Sequence, residues 1–196
     1  MNVIGIAGSP RRGGNTELLL DSVMAGAREA GSETKTIILC DLDIHPCRHC
    51  DGCLQAGKCV VQDDMQPIYE DLVNADGIVI ASPMFFMSLS AQAKAMIDRC
   101  QALWTRKYRL YLPVARNLGG ERRGIFIGTG GTKYLNLFEP SLTIIKSWFS
   151  VLEVKLTGEL TYREIDEKGA IKSHPTALQE AFVAGENLVR PGNKTE

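Results

Sequence analysis

Short β-branched runs separated by longer amphipathic stretches govern what this chain can fold into. Five runs carry the strand pattern: Asn2–Ala7, Thr34–Leu39, Gly77–Ala81, Arg123–Gly128 and Glu153–Thr157. Five stretches carry helical periodicity: Thr16–Ala30, Met65–Asn74, Ala91–Cys100, Leu137–Val151 and Thr176–Val189. In the first of these, Leu18, Leu19, Val23, Ala27 and Ala30 share a side, and Gly31 marks the end. Apolar strands alternating with helices call for a parallel sheet covered on both faces, because parallel strands need crossover connections. The pattern predicts an α/β fold, a doubly wound five-stranded parallel sheet in the order 2-1-3-4-5. Residues 1–190 read as one domain, with a cysteine-rich loop at 45–60 and a loose tail at 191–196. Gln101 to Arg122 reads as one long connection; its aromatic residues and the basic residues running through Arg123 suggest a surface excursion or subunit contact.

The net charge of −1 gives no electrostatic footprint for nucleic acid or for an anionic membrane. No apolar run approaches the ~20 residues of a membrane span. The chain enters an apolar strand at once, at Val3–Ala7, so no leader is expected. Six cysteines are too few for a disulfide scaffold of this length. Together these point to a cytoplasmic, reducing compartment.

Four of the cysteines crowd into one stretch, Cys47, Cys50, Cys53 and Cys59, spaced x2, x2, x5. Ferredoxin-type [4Fe–4S] runs share that compact opening. Zinc sites more often draw two separated ligand pairs. A third reading is dithiol chemistry at Cys47 and Cys50, with His45 and Arg48 lowering the thiol pKa. Nothing in the run fills a hydrophobic period, and Pro46 stiffens its entry, both of which suit a cluster loop. His45 and His49 are alternative ligands that read as solvated side chains. Cys40 and Cys100 fall beside apolar segments and read as buried small hydrophobes.

Three further loops follow strands and so gather at the carboxyl edge of the sheet, where open α/β folds bind ligands. The first, Gly8 to Thr16, joins a strand to a helix start, whose free N–H groups suit a phosphate. Ser9, Asn15 and Thr16 add short donors, and Arg11 adds charge. It is not a nucleotide-triphosphate loop, since Gly14 stands where Lys is needed, and it lacks the G-x-G-x-x-G of a dinucleotide site. The second, Ser82-Pro83-Met84-Phe85-Phe86-Met87, is apolar enough to cover a flat ring such as an isoalloxazine, or a partner subunit. The third, Gly128-Thr129-Gly130-Gly131, lets backbone approach a ligand.

These residues carry a resemblance. Gly8-Ser9-Pro10-Arg11 with Gly14-Asn15-Thr16, the cysteine run with Asp63-Asp64-Met65, and Ser82-Pro83 through Ser90-Ala91-Gln92 with Lys94 and Ile97-Asp98-Arg99 resemble the flavodoxin-like NAD(P)H-dependent FMN reductases, and within them the iron–sulfur flavoproteins. The likeness covers about residues 1–160. It implies a flavodoxin-like fold, with FMN phosphate in the first loop, the ring at Pro83, Met84, Phe85 and Phe86, and a [4Fe–4S] cluster on Cys47, Cys50, Cys53 and Cys59. Thr129, Gly130 and Gly131, at the same sheet edge, are expected to approach the flavin as well. Phe85 stands where that family often has Tyr, and Met87 where it often has Gly. The implied activity is a flavin-dependent oxidoreductase that relays electrons from a small-molecule or protein donor, NAD(P)H among them, to an acceptor. A cluster-free quinone or FMN reductase, and an electron carrier or sensor without turnover, are the rival expectations. The resemblance also implies a homodimer or homotetramer, with cluster and flavin meeting across subunits.

Overall fold

The computed structural model describes residues 1–116 and 120–190. The expected tail at 191–196 lies outside the described residues. Five strands, β1 (Asn2–Ala7), β2 (Glu33–Ile38), β3 (Gly77–Pro83), β4 (Arg122–Gly130) and β5 (Val154–Arg163), pair in parallel in the order β2-β1-β3-β4-β5. The order expected from the sequence is the order observed. The central strands are buried on both faces, whereas β2 and β5 at the edges are mostly half-buried or exposed.

Side chains of alternate parity feed two cores. Ile4, Ile6, Ile78, Ile80 and Phe126 point to one face, under α2 (Met65–Asn74), α3 (Ala91–Arg99) and α5 (Glu139–Leu152). Val3, Val79, Ala81, Ile125 and Ile127 point to the other, under α1 (Asn15–Glu29) and α6 (Ala177–Val189). The period of two along each strand thus sorts the chain into three layers.

Two departures bear on function. The segment read as one long connection opens with a helix, α4 (Gln101–Tyr108), directly after α3. Its Ala102, Leu103 and Thr105 are buried against the rest of the molecule. Arg122, counted among the surface cations, is only 5% exposed. Its guanidinium donates to the carbonyls of Ala75, Leu72 and Leu152, joining the ends of α2 and α5 to the start of β4. The last strand is also longer than expected. Glu153 adopts a left-handed φ of 61° and terminates α5, and β5 then runs on to Arg163. That extra length carries the chain back across the carboxyl edge.

Candidate functional site

At that edge lies a cavity of about 140 Å³. The first loop contributes Ser9, Arg11, Asn15 and Thr16; the loop after β3 contributes Pro83, Met84 and Phe85; Thr129, Gly130 and Gly131 come from the end of β4. Ser90 holds the loops together, its hydroxyl donating to the Gly8 carbonyl while accepting from Ala93 N–H.

The first loop is shaped for an anion. Gly14 caps α1 without any side-chain bond, so the first turn keeps N–H groups free of a capping oxygen. Ser9 Oγ is used locally, accepting from Arg11 N–H at 3.0 Å and donating to Arg11 O at 3.1 Å, which fixes the bend. Gly13 sits at φ 64°, a conformation glycine enters without strain. Arg12 is engaged by Glu17 at 3.3 Å and Asp41 at 2.6 Å. Arg11 has no ion pair among the described residues and is the cation left to the cavity.

Three sequence expectations need revision here. The Asn15 side chain is not a free donor: Nδ2 donates to Glu167 O at 2.9 Å and Oδ1 accepts from Ile171 N–H at 3.2 Å. Its amide braces the segment after β5 against the first loop, and only its place in the helix start serves the cavity. Phe86 does not line the cavity at all. Phe85 and Ser88 exchange backbone bonds at 2.9 and 3.0 Å, with Phe86 and Met87 at φ 48° and 66° between them. That tight turn throws Phe86 fully into solvent, 104% exposed, while Met87 packs inward. Cys40 is half-buried rather than buried, whereas Cys100 is in the core and burial pushes its pKa up to about 12.

Ile165 and Asp166 also line the cavity and were missed. Ile165 N–H bonds Gly130 O at 3.1 Å, and a Cβ on Gly131 would stand 2.9 Å from Asp166. The signal available in the sequence was the alternation of β5 beyond Thr157, which carries the chain to this point.

The cysteine loop forms a second site. Cys47, Cys50, Cys53 and Cys59 all line one cavity of about 40 Å³, with Arg99 in its wall. All six cysteines of the chain are free thiols. Among the described residues, no three His, Cys, Asp or Glu side chains are placed to share one metal ion.

Arg99, 1% exposed, binds both ends of this loop. Its Nη1 bonds His45 O at 2.9 Å and its Nη2 bonds Val61 O at 3.3 Å. Both nitrogens also bond the Asp63 carboxylate, itself 2% exposed, which accepts from His45 N–H at 3.0 Å and Met65 N–H at 3.1 Å. Burial works to raise the Asp63 pKa, but these bonds outweigh it and hold the carboxyl below its ordinary value. Around Cys59, burial likewise raises the thiol, and the Val61 N–H, the Tyr69 hydroxyl and the Arg99 guanidinium more than reverse it. Arg99 Nε is buried with no hydrogen-bond partner. Cys53 Sγ lies 3.7 Å from the Thr105 hydroxyl of α4, so the loop rests on that helix.

The description of a known family, NADPH-dependent FMN reductase, matches residues 1–125, the span that holds the first loop, the cysteine run and the loop after β3. The chain belongs to that family. Among curated relatives it is 38% identical over 126 residues to an iron-sulfur flavoprotein of Methanosarcina thermophila, a match covering 63% of this chain and 66% of that protein. It is 42% identical over 125 residues to one from Archaeoglobus fulgidus, covering 62% and 64%. The chain thus spans somewhat under two thirds of the length of these relatives. The fold is shared more widely. An NAD(P)H:quinone oxidoreductase from Methanothermobacter marburgensis superposes with a TM-score of 0.69 at 21% identity, covering 96% of each chain. An archaeal flavodoxin superposes with a TM-score of 0.57 at 13% identity, covering 97% of each. The FMN reductase match ends before β5, so Ile165 and Asp166 are additions from outside the matched span. Among the described residues, no helix is long and apolar enough to cross a membrane.

Proposed function

We propose that this chain is an FMN-dependent oxidoreductase that passes electrons between a reduced donor, NAD(P)H among the candidates, and an acceptor through FMN and a [4Fe–4S] cluster. One observation carries the cluster: four thiols from a single loop border one cavity beside a buried arginine whose Nε lacks a partner. A cubane gives each thiolate its own iron, so its ligands need not converge on one point as zinc ligands must. Four thiolates also bring negative charge, and Arg99, whose charge is already paired with Asp63, still presents its unpartnered Nε. Cys47, Cys50, Cys53 and Cys59 would hold the cluster, and it would supply one-electron transfer. FMN, whose chemistry is hydride and single-electron transfer, would take its phosphate on the first turn of α1 with Thr16 and Arg11. Pro83, Met84 and Phe85 would border its ring, with Thr129, Gly130 and Gly131 opposite.

Protein purified without oxygen should carry FMN and about four irons per chain, with broad absorption near ~400 nm beyond the flavin bands. Serine at any of the four loop cysteines should cost iron, while Cys40→Ser and Cys100→Ser keep it. Flavin without iron or sulfide after anaerobic reconstitution would favour the cluster-free reductase.

The working unit in this reading is a homodimer or a homotetramer. Phe86 at 104% and Tyr111 at 87% exposure are costly in water unless a second copy covers them. Phe86→Asp should shift the species seen by light scattering toward monomer; a wild-type monomer at micromolar concentration would end this idea.

A further inference from the structure

Behind the cysteine loop lies a separate cavity of about 260 Å³, between α2, α4 and residues 114–116. Its floor is apolar, with Val73, Leu103 and Val114 buried. Its rim is cationic. Arg106 on α4 is half-buried and donates from Nε to Pro113 O at 2.6 Å, but its two Nη groups have no partner among the described residues. Lys58 has no ion pair there either, whereas Arg116 is neutralised by Glu70 at 2.6 Å.

Arg106 is held in place from the loop side. Gly57 has φ 62°, and a Cβ there would lie 2.8–3.3 Å from Arg106, so the loop presses directly on that residue. Two cations without an ion pair among the described residues, beside the buried Val73, Leu103 and Val114, make a site that selects by charge and by ring area together. A cavity of ~150 Å³ takes benzene, so this one has room for one or two fused rings. Cys59 belongs to its wall as well as to the cysteine cavity.

We propose that this cavity binds a small aromatic acid, a carboxylate or sulfonate of one or two rings, with its anion on Arg106 and Lys58 and its ring on Leu103 and Val114. Binding needs only the folded chain. Its meaning as the site of a substrate presented to the cysteine loop rests on the reading given under Proposed function.

The test is calorimetric titration of the flavin-loaded protein with 2-naphthoate, and with neutral 2-naphthamide. Naphthoate should bind about tenfold more tightly than the amide, a difference of about 1.4 kcal/mol. Arg106→Met, which keeps the apolar stem, should erase that preference. Lys58→Met, at an exposed position that cannot disturb the core, should reduce it about threefold. Unchanged flavin absorbance and melting temperature in both variants assign the loss to the cavity rather than to misfolding. Equal affinity for acid and amide, or naphthoate affinity unaffected in both variants, would overturn the site. Iron content is measured on the same preparations. A protein that stays iron-free after anaerobic reconstitution and still discriminates naphthoate would refute the cluster and leave this site standing.

Discussion

Arg99→Met should cost about 3–5 kcal/mol of stability, because it strands the Asp63 carboxylate in a site where only 2% of it meets water. Urea unfolding monitored by circular dichroism measures this. The same substitution frees His45 O and Val61 O, the two ends of the cysteine loop, so thiol labelling of Cys47 and Cys59 should accelerate. Replacing both partners, Arg99→Met with Asp63→Leu, should cost less than Arg99→Met alone, since no charge is then left buried. A single-variant loss below about 1 kcal/mol, the value of an exposed pair, would show that the loop is held by other contacts. The pH dependence has a defined sign. Asp63 titrates below its ordinary value of 3.8 in the folded state, so its stabilising contribution is complete above that value. It is lost as the pH falls through the lower, folded-state value. Acid should therefore release the cysteine loop before the rest of the sheet.

Gly185→Ala should be nearly as damaging, about 3 kcal/mol, although alanine is the better helix former by ~1 kcal/mol. A Cβ on Gly185 would stand 1.9 Å from Val23 O, and one on Gly26 would stand 2.0 Å from Phe182 O. α1 and α6 touch backbone to backbone, with nothing flexible between them to yield. Forcing them apart moves α1, whose first turn lines the cavity at the sheet edge. A lower melting temperature should therefore come with weaker FMN retention, measured by flavin release on dilution. An unchanged melting temperature would mean that the helices slide past each other at little cost.

The sheet was legible because its information is local: each buried strand is a β-branched run, and each helix shows its own apolar side. The loops that meet at the cavity were legible for the same reason, since every one follows a strand and parallel strands end together. Arg122 and α4 were not. Nothing local marks an arginine whose acceptors are carbonyls 30 to 50 residues distant, and α4 hides behind the break at Cys100. Asn15 looked like a phosphate donor because its neighbours are donors, but its partners lie 152 and 156 residues away. Phe86 reads with its apolar neighbours as a cavity residue, and only the paired left-handed conformations at Phe86 and Met87 turn it outward. The four cysteines are adjacent in sequence, yet the arginine that fixes their loop sits 40 residues beyond Cys59.

The brace at Asn15 also has a consequence for synthesis. Asn15 leaves the ribosome 156 residues before Ile171, which at ~5–20 residues per second is an interval of roughly 8–30 s. Throughout that interval the first loop exists without Ile165 and Asp166, and α1 exists without α6. The nascent chain therefore carries the start of α1 long before it carries the wall that encloses the cavity. If the cavity takes FMN as proposed, its capture is a late event of biogenesis, timed by the arrival of the last strand rather than by the loop that is made first.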